Sequence, residues 1–277
     1  MNRAALFDVD GTLADTNHLH VTCWWEALRQ AGHAVAMHDI HRAIGLPGED
    51  LLGHLLGEGR DTSGDERLTA AHDTLYATYF DRLPALDRAA ELLRELDHRG
   101  WRVVLVTSAS DAELTALRRA VGADDAITAT ASADDVGEGK PAPDPVHHAL
   151  ELAGATARDS VFVGDTVWDM TAATRAGVVC VGLLSGGIPR RDLEDAGARA
   201  VYRHPADLLA GLDDSPFADA GGEAGSTTRA RASGATGPAA HEHKETACPT
   251  PPPSGTPSGT THGTRARRNA QTGSGRS

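Results

Sequence analysis

The chain opens MNRAALFDVDGTLAD, and its apolar run Ala4-Ala5-Leu6-Phe7 ends in two acids, Asp8 and Asp10, followed by Gly11 and Thr12. Acids two apart on an extended segment leave it on the same side, where like charges repel. Three further stretches end in a comparable way. RVVLVT closes in Thr107-Ser108, GEGKPAPD carries Lys140, and SVFVGD closes in Gly164-Asp165 with Asp169 about one helical turn on. Any one of these reads equally well as an Asx turn or a helix cap. At the ends of neighbouring parallel strands, the four converge on one crevice. There, Asp8, Asp10 and Asp165 would place three carboxylates together, an arrangement that needs a cation to neutralise it. Oxygen-only donors suit a hard cation, and Mg2+ typically takes one or two carboxylates, waters and a substrate phosphate. Thr107, Ser108 and the backbone N–H groups of a strand-to-helix turn supply donors for an anion, and Lys140 adds a positive point charge. The combination suits a phosphoryl group whose charge is masked while a carboxylate attacks it. Asp8 is the candidate nucleophile, giving an aspartyl-phosphate. The Gly-Lys of GEGKP is not a nucleotide P-loop, because Pro141 stands where that motif needs Ser or Thr.

Positioning these residues requires parallel strands. Six β-rich runs are predicted, around 4–8, 102–107, 126–130, 160–165, 178–184 and 199–202. Amphipathic stretches separate most of them, such as LDRAAELLRELDHRG and DAELTALRRAVG, each stopped by glycine. Asp111 and Asp144 suit helix N-termini. Alternating strands and helices imply a doubly wound, Rossmann-like α/β fold with a parallel sheet covered on both faces. Between the first two strands stand only helical patterns, HLHVTCWWEALRQAG, MHDIHRAIG, EDLLGHLLGEG and DERLTAAHDTLYATYF. Residues 16–83 are therefore expected to form an inserted all-helical cap. The core is expected over 1–15 and 84–213, with the cap above the carboxyl end of the first strand, where open α/β folds bind ligands. From 214 to 277 the composition turns to Gly, Ser, Thr and Pro with almost no aliphatics, the signature of a disordered tail. That tail holds seven basic and five acidic residues, so it reads as a solvated extension, and no partner for it can be named.

Composition narrows the function classes. The 277 residues are 40% hydrophobic and 23% charged, as in ordinary globular proteins. A net charge of −13 argues against a general nucleic-acid binder. No run approaches a membrane span, and no secretory signal precedes the first strand. Cys23, Cys180 and Cys248 form no CxxC pair and suit a reducing, cytoplasmic setting. Of 26 basic residues only Lys140 and Lys244 are lysine, so Lys140 is the sole lysine of the expected globular part. His33, His38, His41 and His54 match no standard metal-ligand spacing and read as solvated cap residues.

With DVDGTL, the strand into Thr107-Ser108, GKPAPD and VFVGDTVWDMTAATRAG in this order, the sequence resembles the haloacid dehalogenase superfamily from residue 4 to about 210. The resemblance implies a Rossmann-like core with a helical cap between the first two motifs. It also implies a Mg2+-dependent phosphatase acting on a small phosphate ester. Carried over by residue, Asp8 is the nucleophile. Asp10 is the general acid/base that protonates the leaving oxygen and then activates water, and its backbone carbonyl is a metal ligand. Thr107 and the Ser108 amide clamp the phosphate, with Gly11 alongside, and Lys140 bridges nucleophile and phosphate. Asp165 ligates the metal, and Asp169 either ligates it or supports the ligands. An acid at Asp10 argues against the dehalogenase branch.

Within the superfamily, DTNHLHVTCWWEAL resembles the opening cap helix of β-phosphoglucomutases, with His20 and Trp24 on one helix face. Packing and substrate contact both account for that pair. The cap loop RAIGLPGED carries Ile44 where the mutases place a lysine for a second phosphate, and Gly164-Asp165 is the form more usual among phosphatases. Phosphoglycolate phosphatase-like hydrolases are therefore the nearer neighbourhood, with a β-phosphoglucomutase-like sugar phosphomutase as the alternative. Arg42 is a candidate contact for a substrate carboxylate or sugar, or else a surface residue.

Overall fold

A computed structural model describes residues 2–57, 59–132 and 136–219. Its sheet has six parallel strands: β1 (Asn2–Phe7), β2 (Trp101–Thr107), β3 (Ile127–Ser132), β4 (Ala155–Gly164), β5 (Val179–Leu183) and β6 (Ala200–Tyr202). All six expected strands are present, and β4 begins earlier than its apolar run suggested. The spatial order is β3-β2-β1-β4-β5-β6, so the order reverses between β1 and β4. That is the topological switch point, where crossovers on either side part and leave a crevice. β1 ends immediately before Asp8 and β4 immediately before Asp165, so the two acids leave neighbouring strands at that crevice.

Side-chain alternation divides the strands between two hydrophobic layers. Ala5, Phe7, Val103, Leu105, Val161 and Val163 face a layer covered by α5 (Ala89–His98), α6 (Asp111–Val121) and α10 (Pro205–Ala210). Ala4, Leu6, Val104, Val106 and Phe162 face one covered by α7 (Asp144–Ala153), α8 (Val167–Arg175) and α9 (Arg190–Asp195). Burial on both sides explains why these strands read as continuous apolar runs. Asp111 and Asp144 each open a helix, as their positions implied.

Four α-helices lie between β1 and α5 among the described residues: α1 (Asn17–Gln30), α2 (Met37–Ala43), α3 (Gly48–Leu56) and α4 (Asp65–Ala77). They enclose their own apolar cluster, including Val21, Trp24, Leu28, Ile40, Leu51, Leu52 and Leu68. The chain enters and leaves this insert side by side. Asp15 N–H donates to the Pro84 carbonyl at 2.9 Å, and Leu86 N–H to the Leu13 carbonyl at 2.9 Å.

The folded chain runs past the expected start of the tail at 214. A short helix, α11 (Pro216–Asp219), buries Phe217 against Trp101, with ring centroids 4.9 Å apart at 81°. One aromatic side chain is enough to anchor this segment, and a composition average over the following polar residues hides it. The rest of the expected tail, from 220 onward, lies outside the described residues. No helix among the described residues is long and apolar enough to cross a membrane.

Candidate active site

Asp8 follows the last residue of β1, and its N–H donates to the Val163 carbonyl of β4, which fixes its direction. Lys140 Nζ donates to Asp8 Oδ1 at 2.6 Å, to Asp169 Oδ1 at 2.8 Å and to the Val106 carbonyl at 3.2 Å. The side chain is only 4% exposed, and its ammonium lies between three acceptors. Burial works against the charged form, but Asp169 and Asp8 outweigh it and hold the Lys140 pKa above the ordinary lysine value. Burial also pushes the Asp8 carboxyl up to about 7, against the pull of Lys140.

Asp165 and Asp169 complete the group. Thr12 Oγ1 donates to Asp165 Oδ1 and Asn17 Nδ2 to Asp165 Oδ2, both at 2.8 Å. Asp169 Oδ2 accepts from the Thr166 N–H at 3.1 Å and the Thr166 hydroxyl at 2.6 Å, as part of a capping box that opens α8. Both acids are fully buried. Asp165 is pushed well above the usual carboxylate range, first by burial and then by the charges of Asp8 and Asp169. Glycines make room for it. At Gly11, with φ of 73°, and at Gly186, a Cβ would overlap the Asp165 carboxylate.

Asp8, Asp165 and Asp169 each offer a carboxylate oxygen within 4.8 Å of the others. This all-oxygen set, with one lysine against three acids, suits a hard divalent cation. Asn17 Oδ1 is a buried acceptor with no hydrogen-bond donor, beside Asp165, which also fits a site for a hydrated cation. Asp169, which the resemblance implied as a ligand or a support, is the third acid of this cluster, and the Asp10 side chain, grouped with Asp8 and Asp165 by the spacing, is not part of it.

The Asp10 carboxylate is held on the side of the helical insert. Its Oδ1 accepts from Thr16 Oγ1 at 2.5 Å and lies 3.2 Å from His20 Nε2. His20 Nε2 is also 3.4 Å from Glu113 Oε1 on α6. Behind it, His20 Nδ1 meets His72 Nε2 at 3.1 Å, and His72 Nδ1 meets Asp73 Oδ1 at 2.8 Å. The result is a line of groups from α4 through α1 to the acid after β1. Burial opposes the Asp10 charge, but the hydrogen bond and charge of His20, the Thr16 hydroxyl and Lys140 outweigh it. The carboxyl is held below its ordinary value. Burial also opposes a charged His20, yet Asp10, Glu113 and Asp73 together raise its pKa. Burial raises Glu113 to about 7.

A cavity of about 250 Å³ lies between the insert and the strand ends. Asp8, Asp10 and Ser108 line its floor, and Trp24, Ile44, Leu51, Thr69, His72 and Asp73 line its roof. Thr107 is buried at the end of β2, where its Oγ1 accepts from the Ala109 N–H at 3.1 Å, and this curls the turn around Ser108. Of the residues singled out in the sequence, Asp8, Gly11, Lys140, Asp165 and Asp169 come together below, with Thr107 and Ser108 alongside and Asp10 and His20 above. Arg42 does not reach the cavity. Its guanidinium donates to Asp192 Oδ2 of α9 at 2.7 Å, on the outside of the molecule. Of the four histidines considered earlier, none belongs to a metal-type cluster among the described residues, and His41 Nε2 donates to the Gly186 carbonyl at 2.7 Å.

Sequence reasoning missed Glu113, His72, Asp73, Thr16 and Asn17. Ser110-x-x-Glu113 has the spacing of a capping box, which gives the acid a structural explanation and conceals its reach toward His20. His72 sits one turn before Tyr76 in an aromatic stripe that reads as core.

A family model described as haloacid dehalogenase-like hydrolase matches residues 2–177. A phosphoglycolate phosphatase of Yersinia pestis is 28% identical over 225 residues, covering 75% of this chain and 91% of its own. A protein of Dickeya dadantii named probable phosphatase IndB is 32% identical over 193 residues, covering 67% and 83%. The crystal structure of a hydrolase from Pseudomonas syringae superposes with a TM-score of 0.73 at 37% identity, covering 77% of this chain and 99% of that one.

Proposed function

The chain belongs to the haloacid dehalogenase-like hydrolases as a phosphatase-type enzyme, and from that premise we propose that it hydrolyses small phosphomonoesters with Mg2+ through an aspartyl-phosphate on Asp8. The observation that carries this reading is the single buried ammonium of Lys140 shared between Asp8 and Asp169, with Asp165 beside them. Asp8, Asp165 and the Asp10 backbone carbonyl would hold Mg2+, with Asp169 in support. When bound, the ion supplies charge neutralisation to the phosphoryl oxygens.

The chain's own residues perform the steps. Lys140 engages Asp8 Oδ1 and leaves Oδ2 to attack phosphorus. As that O–P bond forms, the ester P–O bond breaks and Asp10 gives its proton to the departing oxygen. Asp10 then takes a proton from water as the water oxygen attacks phosphorus, and Asp8 is released together with inorganic phosphate. Because Asp10 is held ionised at rest, His20, hydrogen-bonded to it, supplies the proton that Asp10 delivers to the departing oxygen and receives one back once Asp10 has taken the proton of water. Thr107 and the Ser108 N–H steady the phosphoryl oxygens. Residues 16–83 act as a cap over the core formed by 1–15 and 84 onward. Closure of the cap excludes bulk water during transfer, and its opening releases product. The two buried unpaired cysteines, Cys23 and Cys180, suit a cytoplasmic setting.

Ile44 at the cavity wall offers no charge for a second phosphate, so net hydrolysis is favoured over mutase chemistry. The test is release of phosphate from an aryl phosphate with Mg2+. Wild type is expected to be active and Asp8→Asn to lose at least about a thousandfold, the usual scale for removing a nucleophile. Full activity in Asp8→Asn defeats the covalent mechanism.

A further inference from the structure

On the reading that Asp8 accepts the phosphoryl group, the leaving alcohol must occupy the cavity above it, and the walls of that cavity decide which alcohols are accepted. Among the described residues lining it there is no arginine or lysine. Besides the nucleophile Asp8, three carboxyl groups face it, those of Asp10, Asp73 and Glu113, against two histidines already engaged with them. An alcohol bearing its own carboxylate or second phosphate would therefore enter without a cationic partner and beside like charge, an unfavourable juxtaposition in a partly desolvated space.

The same walls suit a different group. Asp73 and Glu113 are acceptors for O–H donors, and Thr69, Ser108 and Ser110 add hydroxyls that donate or accept. Trp24 is also part of the wall, with its ring stacked on His72 at a centroid distance of 4.3 Å. A flat apolar ring beside carboxylates and hydroxyls matches a ligand with C–H faces and O–H edges. The one arginine proposed for substrate on the insert, Arg42, is committed to Asp192 outside the cavity.

The geometry points to monophosphates of uncharged, hydroxyl-bearing alcohols as the substrate class, with Asp73 and Glu113 as the specificity-determining residues that accept the alcohol's hydroxyls and turn away anionic alcohols. This places the enzyme apart from the carboxylate-bearing substrate named for its Yersinia pestis relative.

A matched pair of esters tests this. 2-Hydroxyethyl phosphate and 2-phosphoglycolate have the same chain length and differ in a hydroxymethyl group against a carboxylate. Full-length protein with Mg2+ is expected to show at least about tenfold higher kcat/KM for hydroxyethyl phosphate, and larger polyol phosphates should follow it. In Asp73→Asn/Glu113→Gln the preference should shrink toward parity, mainly through a lower KM for phosphoglycolate. Equal or reversed preference in wild type, or turnover of an aryl phosphate with neither small ester accepted, overturns the substrate class and leaves the phosphatase reading standing. A ratio unmoved in the double variant overturns the assignment of the two acids. Failure to release phosphate from any of the three esters overturns both readings together.

Discussion

Lys140 Nζ stands 2.6 Å from Asp8 Oδ1, although the two residues are 132 positions apart and both almost fully buried. A second bond from the same ammonium, to Asp169 Oδ1 at 2.8 Å, ties the loop before α7 to the first turn of α8. One lysine thus joins the ends of β1, β2 and β4, because its third partner is the Val106 carbonyl. This explains why a lysine stands here in a chain whose basic residues, Lys244 apart, are otherwise arginine. A single compact ammonium on a thin stem fits between three acceptors, whereas a planar guanidinium needs a wider, forked arrangement.

Lys140→Ala is therefore expected to be costly even before catalysis is considered. Removing one partner of a buried ion pair leaves the other charge without compensation, a loss of about 3–5 kcal/mol. Urea denaturation of the metal-free protein at pH 7 should show it. Lys140→Arg should lose activity as well, despite keeping the charge. A variant as stable as wild type would mean that Asp8 and Asp169 are not held by this ammonium in solution.

The acid group predicts a strong response to metal. Without a cation, one lysine bonds only two of the three buried carboxyl groups, so Mg2+ should stabilise the fold in proportion to its binding. At one hundred times the dissociation constant the gain is about 2.7 kcal/mol. Titrating Mg2+ into chelator-treated protein while following Tm measures this directly. Asp165→Asn should keep its hydrogen bond to either Thr12 or Asn17, retain the fold and lose the Mg2+-dependent rise. A rise of unchanged size in Asp165→Asn would place the ion elsewhere.

These residues differ in how far the sequence exposed them. Asp8, Thr107 and Asp165 were legible because each ends a strand, and parallel strands bring their carboxyl ends to one edge whatever the loops do. Lys140 was legible because its residue type is rare in this chain. His72, Asp73 and Glu113 were not, since they lie inside helices with ordinary amphipathic patterns. Their meeting at His20 depends on how α4 docks beside α1 and how both sit over α6, and no local spacing encodes that. Phe217 was missed for the opposite reason, as one apolar residue at the edge of a long polar stretch.

The His20–Asp10 pair gives stability a defined pH window in chelator. Burial works against the imidazolium, but Asp10, Glu113 and Asp73 outweigh it and hold the His20 pKa above 6.5. A base raised in this way contributes stability that is fully present below pH 6.5 and lost as pH rises through its folded value. Asp10, depressed below 3.8, contributes above that pH, and its share is lost as pH falls through its folded value. The stability gap between wild type and His20→Gln should be widest between these limits and close as pH rises. Guanidinium denaturation across the range measures the gap. A gap that widens at alkaline pH would mean that neutral His20 is the form the fold prefers.

Arg42 supplies the contrasting case. Its guanidinium donates to Asp192 Oδ2 at 2.7 Å with 57% of the side chain exposed, while its backbone carbonyl accepts from Trp168 Nε1 at 3.1 Å. An exposed ion pair of this kind contributes at most about 1 kcal/mol and is screened by salt. The backbone contact survives any substitution that keeps α2 in place. Arg42→Ala should therefore lower stability by less than about 1 kcal/mol, and less still at high salt. Because the guanidinium is outside the cavity, kcat/KM for hydroxyethyl phosphate and phosphoglycolate should each change by less than about fivefold, the kinetic equivalent of that energy. Asp192→Ala should reproduce the effect, and the double variant should add nothing to either. A selective rise in KM for phosphoglycolate in Arg42→Ala alone would instead place the guanidinium in the substrate's path, which its pairing with Asp192 opposes.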